Sequence, residues 1–321
     1  MRVLVTGGAG FIGSHIVDAL IKAGHEPHVI DDLSSGTRAN LPADVPVYEV
    51  DVCDGKKMAD AFAAAQPELV CHQAAQMSVS VSVKRPVFDA QVNVVGLLQS
   101  LELAAQHDVG RFVFASSGGV LYGDVAEPVD ELHPANPISP YGISKWVGEK
   151  YLQFFSQQHG METVAMRYAN VYGPRQNPHG EAGVVAIFCT KMLAGEAPTI
   201  FGDGSCVRDY VFVEDVTRAN LAALTCDLSE PFNAFNIGTA TPTDVNQLAA
   251  SLQRSCQQNL DTAGRSITVP APEYGPSRAG DLQSSLICAD LAGQVLDWRP
   301  QVAIDEGSSR TANWFAEQLL V

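Results

Sequence analysis

A tyrosine and a lysine four positions apart, Tyr141 and Lys145 in Pro140-Tyr141-Gly142-Ile143-Ser144-Lys145, carry the first chemical proposition of this chain. Four residues make about one helical turn, so on a helix both side chains leave the same face. An ammonium beside a phenol favours the phenolate, and such a pair offers a base for a hydroxyl proton near neutral pH. A second proposition lies near the start, in Thr6-Gly7-Gly8-Ala9-Gly10-Phe11-Ile12-Gly13. Glycines at 7, 10 and 13 allow a tight turn, close approach of backbone to a pyrophosphate, and close packing of helix on strand. The N-terminus of the following helix adds partial positive charge and free N–H groups. Beyond Gly13, at the end of the second predicted strand, stands Asp31. A carboxylate there accepts hydrogen bonds from ribose hydroxyls and repels a 2′-phosphate, which reads as NAD rather than NADP. Asp51 and Val52, closing the third strand, are placed to meet an adenine edge.

These groups need a scaffold, and the pattern supplies one. Short β-branched runs at 3–5, 28–30, 47–50, 68–72, 111–115 and 162–167 alternate with helix-period segments at 13–23, 57–65, 89–107 and 143–158. Such alternation predicts right-handed βαβ crossovers and an α/β fold, a Rossmann-type doubly wound parallel sheet. After residue 172 prolines interrupt shorter elements, with helices predicted at 184–193, 213–224 and 245–257. The reading is a dinucleotide-binding domain over 1–172 and a smaller mixed α/β substrate lobe over 173–321. Strands near 211–213 and 233–237 are expected to return to the main sheet.

The chain has 321 residues and a formal net charge of −16. That field repels nucleic acid and anionic membranes, so neither is expected as a partner. No run approaches the roughly 20 apolar residues of a membrane span, and the first strand enters the glycine turn at once, which argues against a leader peptide. The seven cysteines are scattered singly; they read as buried thiols of a reducing cytoplasm, with no metal site.

The motifs Thr6–Gly13, His72-Gln73-Ala74-Ala75, Asn93, Ser116-Ser117, Tyr141–Lys145, Arg167 through Arg175, Arg208-Asp209-Tyr210-Val211, Asn236-Ile237-Gly238-Thr239 and Arg278-Ala279-Gly280-Asp281 together span nearly the whole chain. In them the sequence resembles the extended short-chain dehydrogenases/reductases, and within that family its nucleotide-sugar epimerases. The resemblance implies resident NAD held by Gly7, Gly10, Phe11, Ile12, Gly13, Asp31, Asp51, Val52, Ala74, Ala75, Asn93, Tyr141, Lys145 and Tyr168. It implies a UDP-sugar whose C4 hydroxyl loses its proton to Tyr141, with Asn170, Arg208 and Arg278 on the diphosphate side and Gln76 and Ser78 bordering the nicotinamide or sugar. Ser285 falls at a gate on the C2 side of the sugar, where a small residue leaves room for an N-acetyl group. It also implies a homodimer built on helices 89–107 and 143–158.

One departure stands out. The family places Ser or Thr four residues before the tyrosine of a Tyr-Gly pair, here Tyr122-Gly123, and that position holds Gly118. Either Ser117, one step earlier, reaches the sugar, or water takes its place. No carboxylate follows, which disfavours the dehydratases of the family. His72 reads as a satisfied, partly buried histidine rather than a catalyst. Epimerisation of a UDP-uronate or pentose, or a non-catalytic NAD-binding scaffold, are the rival readings.

Overall fold

The computed structural model describes residues 1–178, 183–277 and 282–320. The first half runs β1 (Arg2–Thr6), α1 (Phe11–Lys22), β2 (Glu26–Asp31), β3 (Val47–Glu49), α2 (Gly55–Ala65), β4 (Leu69–His72), α3 (Val79–Lys84), α4 (Pro86–Ala90), α5 (Gly96–Gln106), β5 (Arg111–Ser117), α6 (Gly118–Leu121), α7 (Pro140–His159) and β6 (Glu162–Tyr168). It continues through β7 (Asn170–Tyr172), α8 (Val184–Leu193), β8 (Thr199–Phe201), β9 (Val207–Phe212), α9 (Val213–Thr225) and β10 (Phe232–Ile237). The remainder is β11 (Pro242–Asp244), α10 (Val245–Thr262), β12 (Glu273–Gly275), β13 (Ser284–Ser285), α11 (Asp290–Val295) and α12 (Ile304–Leu319).

Seven strands form one sheet in the order β10-β6-β5-β4-β1-β2-β3, and every pairing in it is parallel. Val3, Leu4 and Val5 of β1 are all fully buried, because helices cover both faces and neither row of side chains meets water. One face is sealed by Ile16, Val17 and Leu20 of α1 with Val216 and Ala219 of α9. The other is sealed by Met58 and Phe62 of α2, Leu97 and Leu101 of α5, and Leu152 and Phe155 of α7. This is the doubly wound Rossmann-type α/β fold. Its chain reverses direction across the sheet between β1 and β4, which opens a crevice at the carboxyl ends of the strands.

A third apolar cluster joins α8, α10 and α12 through Val185, Phe188, Met192, Leu248, Leu252 and Phe315. β10 completes the main sheet against β6, as the sequence predicts for 233–237. The segment around 211–213 does not. β9 lies in a separate small sheet with β11, β13 and β7, and Val213 already starts α9. The edge next to β6 is taken along its whole length by β10, so β9 pairs with β7, which has left the sheet beyond Tyr168.

The single helix predicted over 89–107 is also interrupted. α4 and α5 are separated by a π-helical turn, Gln91–Val95, in which Gly96 N–H donates to Gln91 C=O. A Cβ on Gly96 would come within 2.8 Å of Val52, so close packing holds this widened turn against the loop after β3. Helix α7, by contrast, is punctuated locally. Ser139 Oγ accepts from Gly142 N–H at 3.2 Å, Pro140 takes the first helical position, and Gly160 ends it at φ +68°. These are ordinary start and stop signals, and they set where Tyr141 emerges.

Candidate active site

The glycine turn forms a cradle that only glycine can line. Gly7 has φ +65°, and a Cβ there would sit 2.7 Å from Ala74 N. A Cβ on Gly13 would meet Gly7 O at 2.2 Å. Gly10 precedes α1 with no side chain capping the helix, so its N-terminal N–H groups face the crevice without a side-chain partner. Phe11 and Ile12 open α1; the Phe11 ring meets His15 edge-on at 6.2 Å, and Ile12 packs on the core. Ala74 N–H donates to Thr6 Oγ1 at 3.3 Å, and Ala75 follows in the same irregular segment.

Asp31 ends β2 against this cradle. Its Oδ2 accepts from Ala9 N–H and its Oδ1 from Leu33 N–H, both at 2.9 Å. Burial raises its pKa, and those N–H bonds oppose the rise. The nearby Arg38 is committed elsewhere, donating to the carbonyls of Leu41, Pro42, Ala43 and Val45. A bare cradle, a helix N-terminus and a carboxylate with no ion pair among the described residues fit a dinucleotide lacking a 2′-phosphate. Sequence reading missed the clamp over this loop: Thr37 N–H and Asn40 Nδ2 both donate to Ala9 C=O, at 3.1 and 2.9 Å. The Gly36-to-Asn40 stretch after Asp31 was the signal. Asp51 is exposed and accepts from Cys53 N–H at 2.8 Å, while Val52 is buried under Gly96.

Tyr141 and Lys145 share one face of α7, with Lys145 Nζ 5.8 Å from the centre of the Tyr141 ring. Lys145 is buried; its Nζ donates to Ala115 C=O at 2.8 Å and lies 4.7 Å from the Phe114 ring. Burial lowers its pKa to about 8, opposed by the negative charge of Asp89. Burial pushes the Tyr141 phenol up to about 12; a hydrogen bond with Ser117 pulls it down and Asp89 pushes it up. That interaction brings the Ser117 hydroxyl near the phenol. Gly118 faces elsewhere: a Cβ there would strike Ile287 Cδ1 at 2.8 Å and approach Arg167 C=O at 3.1 Å. The hydroxyl next to the base is therefore that of Ser117, the last residue of β5.

Beside Ser117 the wall is left open. A Cβ on Gly119 would stand 3.1 Å from Asn170 Oδ1 and 4.0 Å from Ser117 Oγ, so the bare glycine gives both groups a common space. Ser285 is buried and donates to Gly119 C=O at 3.2 Å. In the small sheet Ser285 pairs in register with Arg208. Arg208 donates to the carbonyls of Val207 and Leu282, each at 2.8 Å, and the adjacent Asp209 is engaged by Thr239 and Ala240 instead. The cation thus keeps its charge unpaired by its neighbour. Arg278 lies outside the described residues.

Four of the residues singled out from sequence are turned inward. Asn93 Oδ1 accepts from Gln76 N–H, and its Nδ2 donates to Gln76 C=O and Asp89. Gln76 Nε2 donates to Asp89 Oδ1 at 2.7 Å and to Ser78 C=O. Ser78 caps α3 by accepting from Val81 N–H. The Tyr168 hydroxyl is buried and donates to Asn220 at 2.8 Å. Their side chains shape the crevice from behind. His72 is buried, bonded through Nδ1 to Thr6 and stacked near Phe112, and burial lowers its pKa to about 3. It is a neutral core histidine, satisfied as read from sequence. Sequence reading passed over Asp89 and Glu149, although an acid in an apolar helical run, and one four residues after Lys145, were visible signals.

A sequence profile of the NAD dependent epimerase/dehydratase family matches residues 3–238. A curated UDP-glucose 4-epimerase of Mycolicibacterium smegmatis is 43% identical over 324 residues, covering 98% of each chain. The crystal structure of a Thermotoga maritima UDP-glucose 4-epimerase with UDP-glucose superposes with a TM-score of 0.93 at 45% identity, covering 99% of this chain and 100% of that one. A Thermus thermophilus UDP-glucose 4-epimerase in complex with NAD gives 0.90 at 44% identity, covering 98% and 99%.

Proposed function

The chain belongs to the NAD dependent epimerase/dehydratase family, and from that premise we propose that it inverts C4 of a UDP-hexose, interconverting UDP-glucose and UDP-galactose. The observation that carries this reading is the Ser117–Tyr141–Lys145 constellation at the carboxyl end of β5, on the same edge of the parallel sheet as the glycine cradle after β1. Gly7, Gly10, Phe11, Ile12, Gly13 and Asp31 would hold the NAD, with Ala74 and Ala75 along its edge. Bound there, NAD would supply a reversible hydride acceptor for C4 of the sugar, which is what inversion through a 4-keto form requires.

The chain's own residues move the proton. Tyr141 accepts it from the C4 hydroxyl, and Ser117 orients that hydroxyl and hydrogen-bonds the phenolate. Lys145, held by Ala115 C=O, keeps positive charge beside the phenol and so favours its ionised form. Asn170 and Arg208 would meet the UDP, and the motif that holds Arg278 is expected to supply a second cation; a guanidinium suits phosphate oxygens, and an acidic protein needs such local cations. The division of labour follows the chain: 1–172 for NAD and 173–321 mainly for the UDP-sugar.

Ser285 leaves the C2 side of the sugar open, so UDP-N-acetylhexosamines are substrates as well. Failure to turn over UDP-N-acetylglucosamine, by protein active on UDP-galactose, would refute that extension.

The working form is a homodimer in the cytoplasm. Val87, Val95, Ile143, Trp146 and Phe154 expose apolar surface on α4, the π-helical turn and α7. These are the segments expected to pair, and no helix among the described residues is long and apolar enough to cross a membrane.

The test is a coupled assay following UDP-glucose formation from UDP-galactose without added NAD, beside Tyr141→Phe. Turnover in the wild type alone, with NAD released on denaturation, is the expected result. A wild type that retains NAD but leaves UDP-galactose unchanged would overturn the substrate assignment.

A further inference from the structure

Asp89 is fully buried on the short helix α4. A buried carboxylate is costly unless hydrogen bonds or a cation compensate it. Here only neutral donors do so: Ser144 Oγ at 2.6 Å on Oδ2, with Gln76 Nε2 at 2.7 Å and Asn93 Nδ2 at 3.0 Å on Oδ1. Among the described residues no cation forms an ion pair with it. Ser144 is the residue of α7 immediately before Lys145. Gln76 and Asn93 belong to the segment after β4 and to the π-helical turn. One carboxylate thereby ties the catalytic turn of α7 to the loop that lines the crevice.

We propose that Asp89 is the positioning residue of the catalytic pair, seating the Tyr141–Lys145 turn and keeping an unpaired negative charge beside it. The proposal rests on the assignment of Tyr141 as base. Neutral donors stabilise a carboxylate without cancelling its field, and in a low-dielectric interior that field reaches both members of the pair. The titratable groups facing this pocket are few. Tyr141 and Lys145 come from α7 and His72, held neutral, from β4. Lys84 and Arg85 at the end of α3 are exposed, Arg85 lying over the Phe88 ring. Glu149, further along α7, is engaged by Arg167.

The sign follows from these positions. The Asp89 charge raises the pKa of both Lys145 and Tyr141. Burial already brings Lys145 down to about 8, so without Asp89 its ammonium would be lost within the working pH range.

The test is Asp89→Asn, which keeps shape and most hydrogen bonds but removes the charge. Tyr141 is titrated by tyrosinate absorbance, each protein referenced to its own Tyr141→Phe derivative. The expected result is a Tyr141 midpoint lowered by about one pH unit, with the acid limb of kcat/KM, which Tyr141 sets, moving to lower pH, and the alkaline limb also moving down as Lys145 loses its ammonium sooner. Asp89→Ser also removes the charge and serves if the amide variant does not fold. Ser144→Ala removes a tie and keeps the charge, so it should lower thermal stability while leaving the midpoint in place. An unchanged Tyr141 midpoint in the charge-removing variants overturns the proposal. The titration needs no turnover, so an inactive wild type would sink the functional reading without masking this outcome.

Discussion

Two buried carboxylates flank the catalytic helix, and they are handled in opposite ways. Glu149 sits two turns beyond Tyr141 and is answered by charge: Arg167 Nη2 donates to it at 2.7 Å and Arg167 Nε at 3.0 and 3.2 Å, with Ser116 Oγ at 2.6 Å. The same guanidinium donates to the Tyr122 hydroxyl and to Glu131 C=O, and Tyr122 in turn donates to Asn236. Among the described residues, only neutral groups hydrogen-bond Asp89. A paired carboxylate is electrostatically quiet at a distance and acts as a rivet between α7, β5, β6 and β10. An unpaired one makes a poorer rivet and a stronger field. The difference assigns stability to the Glu149 side and acid–base tuning to the Asp89 side, and each assignment can be broken separately.

The largest expected effect is on the tuned side. Tyr141→Phe removes the group proposed to take the C4 proton, so kcat falls by about 10³- to 10⁴-fold. NAD retention and the unfolding midpoint stay close to wild type, because among the described residues the lost hydroxyl anchors no packing contact and only interacts with Ser117. The coupled assay and denaturing release of cofactor check the two halves. A variant that also loses its cofactor or several degrees of stability would mean that the site and the scaffold are not separable here.

Next comes the riveted side. Arg167→Met leaves Glu149 buried, only 2% exposed, without its counter-charge. Removing one partner of such a pair costs about 3–5 kcal/mol, whereas replacing both by apolar groups is often close to neutral. Chemical denaturation should therefore show a large loss in Arg167→Met and recovery of most of it in Arg167→Met with Glu149→Leu. The activity that remains should keep the wild-type shape of its pH profile. A shifted profile would show that the Glu149 field reaches Tyr141 after all.

The contrast between the two sides was only half legible in the chain. The cofactor cradle could be read because its grammar is local: strand, glycine turn, helix, and an acid at the end of the next strand. The catalytic turn was legible for the same reason, since Ser139, Pro140 and Gly160 bracket α7 by neighbours alone. The hydroxyl beside Tyr141 was not. Whether position 117 or 118 faces the base depends on Ile287 and on the carbonyl of Arg167, both brought in by tertiary packing. Gln76 reads as bordering the ligand, because nothing in its spacing reveals that Asp89 draws its amide inward. The π-helical turn that aims Asn93 was hidden inside what reads as one continuous helix, and β9 looks like any central strand until β10 occupies the edge it would need.

The smallest effects make the sharpest comparison, because they come from the same substitution at consecutive residues of β5. Ser117→Ala removes a hydrogen bond that favours the Tyr141 phenolate. The phenol pKa then rises, so the acid limb of kcat/KM moves to higher pH, and activity at neutral pH falls by about tenfold. Its effect on stability should be slight, since the lost bond lies at the crevice. Ser116→Ala removes instead the 2.6 Å bond to the Glu149 carboxylate. A hydrogen bond to a charged group contributes about 1.5–3 kcal/mol, but Arg167 still compensates Glu149, so the loss should fall toward the lower end, about 1–2 kcal/mol. The pH profile should not move. Denaturation curves and pH profiles of the two single variants separate the assignments: if Ser116→Ala shifts the acid limb, or Ser117→Ala costs as much stability, the division between the two sides of α7 fails.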